Sequence, residues 1–159
     1  MKPGRRIFEE EEVMVEKREP VTTVVRRVTA AVGIPGELVV PLSAEFCYDM
    51  ADPYAVRLSF STLEIEPVVW VFARLLLEEG MHRPVGVGSV LVSPPHWCHR
   101  DFMRIVLRSR ADEGAARIEV PSVEVGEFLR RSYTLVPPGA ESLHVDVDRA
   151  LAALMDRCE

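Results

Sequence analysis

The chain has 159 residues, 48% hydrophobic and 28% charged, which is typical of a globular protein and excludes wholesale disorder. This length corresponds to one domain that can bury a core without metal or disulfide staples. The net charge of −6 argues against a protein whose main task is to coat nucleic acid or an anionic membrane.

The first twenty residues differ from the rest. They hold five basic and six acidic side chains and few large apolar ones, so we predict a mobile charged arm at 1–20 and one domain at 21–159. Lys2, Arg5 and Arg6 resemble a signal-peptide n-region, but Glu9–Glu12 occupy the place of its apolar segment. We therefore expect a cytoplasmic protein. Three cysteines without a CxxC spacing favour free thiols.

The first half of the domain predicts four strands and one helix. In the third strand, Val56, Leu58 and Phe60 alternate with polar residues, which predicts one buried and one wet face. Pro41 marks an edge or a bulge in the second strand, and Gly80 ends the helix. The predicted strands are Thr22–Val32, Leu38–Tyr48, Ala55–Thr62 and Val68–Phe72, the last one buried, and the helix is Ala73–Gly80.

The second half predicts three more strands and two helices. The strands are Val87–Val92, Phe102–Ser109 and Ala116–Val120, with a hairpin loop at Arg110–Gly114. Ser122 and Asp146 are predicted N-caps of the two helices. Their apolar faces are Val125, Phe128, Leu129 and Tyr133, then Val147, Leu151, Leu154, Met155 and Cys158. The whole pattern predicts an α+β fold with antiparallel sheets of about seven strands and two to three helices.

The densest cluster of metal-ligand types is the run His96–His99. Adjacent residues cannot all reach one metal, and a zinc site needs about four ligands in tetrahedral order. Cys98 beside His99 suggests a nucleophile and a base, but no oxyanion hole or third member accompanies them. A loop between two strands explains the run, so we predict no catalytic, metal or cofactor site.

Two further patterns have simple structural explanations. Asp49 and Asp52 suggest a carboxylate pair, but Asp residues in a connection more often bind backbone N–H groups in turns. Gly86–Gly88 is too short for a dinucleotide loop and is expected to let a strand bend or a neighbouring backbone approach.

Arginines on the wet strand faces leave one alternative function open. A groove of arginines with Trp97 nearby is the kind of surface that binds single-stranded nucleic acid. Ordinary solvated strand residues are the simpler interpretation. The arginines concerned are Arg57, Arg104, Arg108 and Arg117.

Two stretches resemble the SsgA-like proteins, a sporulation and cell-division family of filamentous actinomycetes. Tyr48–Val56 reads YDMADPYAV and is similar to the family's Y-D-x-x-D-P-Y-A-V segment. Trp70–Gly88 reads WVFARLLLEEGMHRPVGVG and is similar to its W-V-F-A-R-x-L-L-x-E-G-x-x-x-P-x-G-x-G block. Phe128-Leu129 and Val136–Gly139 also match in kind, so the resemblance covers about residues 21–157.

The resemblance implies a non-catalytic developmental protein with a bell-shaped, Whirly-like homotrimeric fold. It implies action in septum-site choice, in bringing FtsZ to the septum, and in cell-wall remodelling or spore maturation. The expected partners are FtsZ, an SsgA-like paralogue or cell-wall machinery, with no cofactor and no small-molecule substrate, and with recruitment from the cytoplasm to the septum. Nucleic acid is disfavoured as a partner.

The motif residues suggest where a partner binds. Trp70 and Phe72 share one strand face and are expected to anchor the core or a subunit contact. Leu75 stands where the family often has an acidic residue, which adds an exposed or interfacial leucine. Besides Leu75, the candidate partner-binding residues are Asp52, Arg74 and Glu79, although the last two are also suitably placed to bind each other.

Overall fold

The computed structural model describes residues 19–33, 36, 38–61, 66–109 and 114–158. Nearly all of the predicted arm lies outside this range. So does most of the hairpin loop predicted at Arg110–Gly114. The division at residue 20 therefore stays a prediction.

Within the described part of the chain, eight antiparallel strands form one sheet in the order β4-β3-β2-β1-β8-β7-β6-β5. Each half of the chain contributes four strands in sequence, and the halves join where β1 pairs with β8. The α+β antiparallel fold is confirmed, with eight strands where about seven were expected. The strands are β1 Thr23–Gly33, β2 Val40–Asp49, β3 Ala55–Ser61, β4 Val68–Ala73, β5 Val85–Val87, β6 Val90–Ser93, β7 Phe102–Arg108 and β8 Ala115–Pro121.

The extra strand comes from a hairpin inside one predicted element. The strand predicted at Val87–Val92 is two strands, since Val87 pairs directly with Val90 across a two-residue turn. Gly88 has a φ of 60° there, a left-handed conformation that glycine adopts without a Cβ penalty. Gly88 therefore lies in a turn between two strands. Of the two roles expected for Gly86–Gly88, a bend within one strand is the one that this hairpin corrects.

The core lies between the inner face of the sheet and two helices, α1 (Arg74–Gly80) and α2 (Ser122–Leu135). The predicted inner face of β3 is buried. Helix α1 contacts β4, β5 and β6, whereas α2 contacts β1 and β8. The rings of Phe46 and Phe128 lie 5.5 Å apart and join β2 to α2. The alternation in β3 and the helical spacing in α2 thus correctly predicted the buried faces of these two elements.

Strand β4 differs from its prediction as a buried strand. It is the last strand of the sheet and pairs with β3 alone. Phe72 is buried and Trp70 half-buried on the inner face, whereas Val69 and Val71 are exposed on the outer face. The run of apolar letters suggested burial on both faces, but only one face of this edge strand is covered.

One predicted helix cap is wrong and the other is confirmed. Ser122 lies in the first turn of α2 and its hydroxyl donates to the carbonyl of Asp101, 3.0 Å away. Asp146 caps α3 (Val147–Met155), because its side chain accepts the N–H of Arg149 at 2.9 Å.

Among the side chains that the structure describes, the C-terminal segment contributes none that is buried in the core, and the side chain of Cys158 lies outside that description. It comprises a 3-10 helix at Glu141–His144, then α3, and then a second 3-10 helix at Asp156–Cys158. The predicted apolar face of α3 exists, but its residues Val147–Met155 are exposed. None of the described helices is long and apolar enough to cross a membrane.

Candidate docking surface around helix α1

Arg74 is the first residue of α1 and is only 2% exposed. One guanidinium nitrogen donates to the carbonyl of Ser132, at 3.2 Å, and to that of Val136, at 2.9 Å. The other terminal nitrogen donates to the carboxylate of Glu141 at 2.9 Å. These acceptors pair the buried charge and hold α1 against the end of α2 and the segment that follows it.

Two tyrosines enclose the same guanidinium. Its carbon lies 4.6 Å from the ring centre of Tyr48 and 4.3 Å from that of Tyr133, distances typical of cation–π contacts. The Tyr48 hydroxyl donates to the carbonyl of Pro53 at 2.9 Å, and the Tyr133 hydroxyl donates to the Glu78 carboxylate. Tyr48 belongs to the first family-like stretch and Arg74 to the second, and Tyr133 belongs to α2. The cation–π contacts of one guanidinium therefore connect both stretches to α2.

Burial and hydrogen bonding shift the pKa values in this network. Burial is the main cause that raises the pKa of Tyr48. Burial, followed by the hydrogen bond to Glu78, raises the pKa of Tyr133. The N–H of its own residue and then the Arg74 guanidinium lower the pKa of Glu141. At neutral pH the two tyrosines are therefore neutral, and Arg74 and Glu141 form a charged pair.

The burial of Arg74 corrects its expected role at a partner-binding surface. It also corrects the idea that Arg74 and Glu79 bind each other, because Arg74 pairs with Glu141 and Glu79 pairs with Arg83. Helical spacing could have indicated that Arg74 is buried, because Arg74 lies three residues before the fully buried Leu77 and therefore on the same helix face. Sequence reasoning missed Tyr133 and Glu141 as its partners.

The outer face of α1 is open. Leu75 is 60% exposed, and Glu79 lies one turn further along the same face. Glu79 accepts a hydrogen bond from Arg83 at 2.7 Å. The face thus offers an exposed apolar side chain followed by a solvated ion pair, which is a small surface suited to protein contact.

A tight turn continues this surface. Asp52 and Tyr54 are both exposed in the turn between β2 and β3. The Tyr54 carbonyl accepts the backbone N–H of Arg74 at 2.8 Å, which places the turn beside the start of α1. Asp49 accepts the N–H of Ala51 at 2.9 Å, the turn role expected for it. We call the exposed Asp52, Tyr54 and Leu75 together with the half-buried Glu79 the α1 surface.

The His96–His99 loop is an exposed turn between β6 and β7. The Cys98 sulfur lies 2.9 Å from Nδ1 of His96, so the thiol's neighbour is His96, whereas the sequence suggested His99. In the described part of the chain, no group of three or more His, Cys, Asp or Glu side chains is arranged to hold a metal. Cys47 and Cys98 are free, with Cys47 half-buried on β2.

The arginines proposed for a nucleic-acid groove fall into two places. Arg104, Arg108 and Arg117 lie on β7 and β8, but Arg57 lies on β3, with β2 and β1 between. Glu119 pairs with Arg104 at 3.5 Å. A second pair, Arg27 with Glu45, stands on the intervening strands. Carboxylates therefore interrupt the cations along the described outer face, and the nucleic-acid alternative stays untested.

The sequence matches a known family. The family model described as "Streptomyces sporulation and cell division protein, SsgA" matches residues 42–141. The sporulation-specific cell division protein SsgB of Streptomyces coelicolor is 43% identical over 122 residues, covering 77% of this chain and 88% of that protein. SsgB of Frankia casuarinae is 44% identical over 123 residues, covering 77% of this chain and 84% of that protein.

Solved structures agree with the sequence comparison. The crystal structure of an SsgA-like sporulation-specific cell division protein from Thermobifida fusca matches with a TM-score of 0.73 and 37% identity, over 83% of this chain and 95% of that one. A structure solved for SsgB mutations that correlate to longitudinal cell division in Streptomyces coelicolor sporulation matches with a TM-score of 0.70 and 42% identity, over 77% and 95%.

The fold and the site define a small antiparallel α+β protein in which a buried arginine network supports an open surface. The chain belongs to the SsgA family of sporulation and cell division proteins. The resemblance drawn from its two sequence blocks is thereby confirmed, and the relatives' shared description supports a role in sporulation-specific cell division.

Proposed function

We propose that the chain is a non-catalytic adaptor in sporulation-specific cell division. It serves septum-site selection, FtsZ recruitment or cell-wall remodelling by binding a division or cell-wall protein. Its expected direct partners are FtsZ, an SsgA-like paralogue or the cell-wall machinery. The cytoplasmic protein is recruited to the septum, and the trimer implied by the family belongs to the same proposal.

The α1 surface carries this proposal. Leu75 is exposed on a helix whose first residue, Arg74, is buried and hydrogen-bonded to the end of α2 and to Glu141. The leucine is therefore held in a fixed position at little entropic cost to binding. Exposed apolar side chains rimmed by charges are typical of transient protein interfaces. Asp52 and Glu79 supply such a rim, and they are proposed to set the partner's orientation.

The direct test is a pull-down with the full chain from sporulating cells. We expect the wild-type protein to retain FtsZ or an SsgA-like paralogue, identified by mass spectrometry and immunoblot. Leu75→Asp is expected to reduce that recovery at least tenfold, because a carboxylate replaces the central apolar contact. A fluorescent fusion is expected to gather at septa with wild-type Leu75 and to stay diffuse with Leu75→Asp.

Val123→Asp is the matched control, since Val123 is 78% exposed on α2 and outside the α1 surface. It is expected to retain the partner. Equal recovery by wild type and Leu75→Asp, with both variants folded by circular dichroism, would remove the α1 surface from the proposal. A deletion strain that septates and builds spore walls normally would remove the cell-division role for this chain.

A further inference from the structure

Trp97 lies on the His96–His99 loop and is the most exposed aromatic side chain in the described part of the chain, at 79%. Its ring stands 5.5 Å from the ring of His96, which is also exposed. An indole ring is large and mostly apolar, and tryptophan is enriched where proteins contact each other. The exposed Trp97 therefore indicates a further contact surface.

A cavity of about 260 Å³ lies beside the same loop, and we call it the loop pocket. Strand register sets its floor, because Ser93 on β6 stands opposite Arg104 on β7, and Arg104 stands opposite Glu119 on β8. Phe102 lies two residues before Arg104 and therefore on the same side of β7. Three proline rings add apolar walls, those of Pro84, Pro94 and Pro95.

The loop pocket suits an indole ring. Its volume is below the roughly 300–1,000 Å³ of pockets that hold drug-sized molecules, and this smaller size fits one large side chain. Phe102 and the prolines supply apolar contacts for the ring, and the Arg104 guanidinium supplies a cation. The Glu119 carboxylate lies 3.5 Å from Arg104 and keeps further acceptor sites for an N–H group. These groups match both the ring of a tryptophan and its single donor.

We propose that Trp97 of one copy of this chain fills the loop pocket of a second copy, across a twofold axis beside the His96–His99 loop. Each copy then gives one tryptophan and receives one. The indole ring packs against Phe102, and its N–H donates to Glu119. This inference does not rest on the proposed function. An isologous contact of this kind joins copies in pairs, so it is distinct from any threefold contact within a trimer.

A second copy is the occupant because Trp97 and the pocket adjoin in the fold. His96 and His99 line the pocket, but Trp97 between them does not, so the ring points away from the pocket of its own copy. One axis at the loop brings each tryptophan to the other copy's pocket, and both insertions form in a single contact. An unrelated partner would have to supply both a pocket for Trp97 and an aromatic side chain for the loop pocket, whereas a second copy brings both.

The local charges permit this self-contact. Two acidic and two basic side chains stand at the loop and the pocket, so their formal charges cancel. They are Arg100, Asp101, Arg104 and Glu119. The whole chain carries a net charge of −6, and two copies with a strongly acidic surface would repel each other at contact. This part of the surface is neutral, so two copies can meet there without opposing like charges.

The first test measures the molar mass of the full chain by sedimentation equilibrium over a hundredfold concentration range. Trp97→Ala removes the inserted ring, and Ser93→Phe fills the loop pocket. The matched control is Leu143→Ala, because Leu143 is 83% exposed and lies outside the loop. We expect the wild type and Leu143→Ala to reach twice the limiting mass of Trp97→Ala and of Ser93→Phe. Circular dichroism checks that all four are folded.

Three results would overturn the proposal. The first is an equal limiting mass in wild type and Trp97→Ala, which would leave the pocket to a side chain of another protein. The second is a wild-type mass for Ser93→Phe, which would place Trp97 against a different surface. The third is a loss of mass in Leu143→Ala equal to that in Trp97→Ala, which would indicate unspecific association of exposed apolar side chains.

The second test follows Trp97 itself. The chain has two tryptophans, so Trp70→Phe leaves Trp97 as the sole emitter and keeps a ring at the half-buried position 70. Insertion moves the indole from water into the pocket, so we expect its emission to shift to shorter wavelength, and acrylamide quenching to weaken, as the concentration rises. Both changes are expected to vanish in Trp70→Phe/Ser93→Phe. A mass that doubles without these changes would place the contact elsewhere and overturn the proposal.

Discussion

The guanidinium of Arg74 lies 2.9 Å from the carboxylate of Glu141, and this pair connects the first turn of α1 to the 3-10 helix after α2. Side-chain exposure is 2% for the arginine and 16% for the glutamate, so water screens the pair poorly. A buried pair costs its desolvation, and breaking it leaves one charge without compensation. The α1 surface therefore depends on a network that lies beneath it.

Replacement of Arg74 tests this dependence. Arg74→Ala removes the guanidinium that donates to the Glu141 carboxylate. It also leaves the Ser132 and Val136 carbonyls without that donor. Breaking a buried ion pair costs about 3–5 kcal/mol, and we expect a loss of that size in the free energy of unfolding. Arg74→Lys is expected to lose less, since it keeps the charge but not the planar fork. Urea unfolding at pH 7 measures both.

Arg130→Ala is the control for the arginine prediction. Arg130 pairs with Glu127 on the exposed face of α2, where solvent screens the interaction. Its unfolding midpoint is expected to match that of the wild type. A wild-type midpoint for Arg74→Ala would show instead that the buried network contributes nothing to stability.

The Arg74–Glu141 pair also predicts acid sensitivity. The pKa of Glu141 is lowered from 4.5 by its own backbone N–H and by Arg74. A carboxylate with a depressed folded pKa adds stability that is present above the unfolded pKa and is lost as the pH falls through the folded value. We therefore expect wild type to exceed Glu141→Gln in stability at pH 7, and the difference to shrink below about pH 4.5.

Urea midpoints between pH 3 and pH 7 measure this difference. Glu45→Gln is the comparison, because Glu45 pairs with an arginine that is 82% exposed. It is expected to change the midpoint little at any pH in this range. A gap between wild type and Glu141→Gln that stays constant from pH 7 to pH 3 would contradict the assigned cause.

The strand faces could be predicted because an alternating sequence encodes them locally. Val56, Leu58 and Phe60 needed no information from elsewhere in the chain to be placed inside. The hairpin was missed although Gly88-Ser89 is a dipeptide typical of two-residue turns, because the apolar residues on both sides of it were taken for one short strand. The pairing of β1 with β8 also has no local signal, since Ala31 meets Glu119 from the far end of the domain.

The site was harder to predict because its partners are distant in sequence. Arg74 reads as a surface residue, since an arginine is seldom fully buried. Its carbonyl acceptors lie 58 and 62 residues further along the chain. Burial of the charge depends on these acceptors, so it follows from the tertiary fold and not from residues near Arg74. Leu75 needed no such information, and its predicted exposure is confirmed.

Tyr133 predicts a loss of stability in alkali. Burial and the hydrogen bond to Glu78 raise its pKa above 10.0. A group with a raised folded pKa adds stability that is fully present below the unfolded pKa and is lost as the pH rises towards the folded value. At pH 8 we expect Tyr133→Phe to be less stable by about 1 kcal/mol, the value of one hydrogen bond. The deficit should shrink above pH 10, as followed by urea unfolding, and a constant deficit would contradict this cause.

The close packing of α1 on β6 predicts an effect of adding one methyl group. A Cβ at Gly80 would overlap Cγ1 of Val92 and lie 2.5 Å from its Cβ. Gly80→Ala is therefore expected to lower the free energy of unfolding by about 1–3 kcal/mol, the usual cost of overpacking. The gain in helix propensity from glycine to alanine, about 1 kcal/mol, is too small to reverse that sign.

Gly126→Ala separates the two effects, because a Cβ at Gly126 in α2 meets only the Met81 side chain at 3.5 Å. It is expected to stabilise the protein by about 0.4–1 kcal/mol. Val92→Ala removes the overlapping Cγ1 but keeps the Cβ, so Gly80→Ala should cost less in that background than in wild type. Urea unfolding of the four members of this double-mutant cycle measures the coupling. Additive losses would mean that α1 moves away from β6 at no cost, and that the distance between this helix and the sheet is not fixed by the Gly80–Val92 contact.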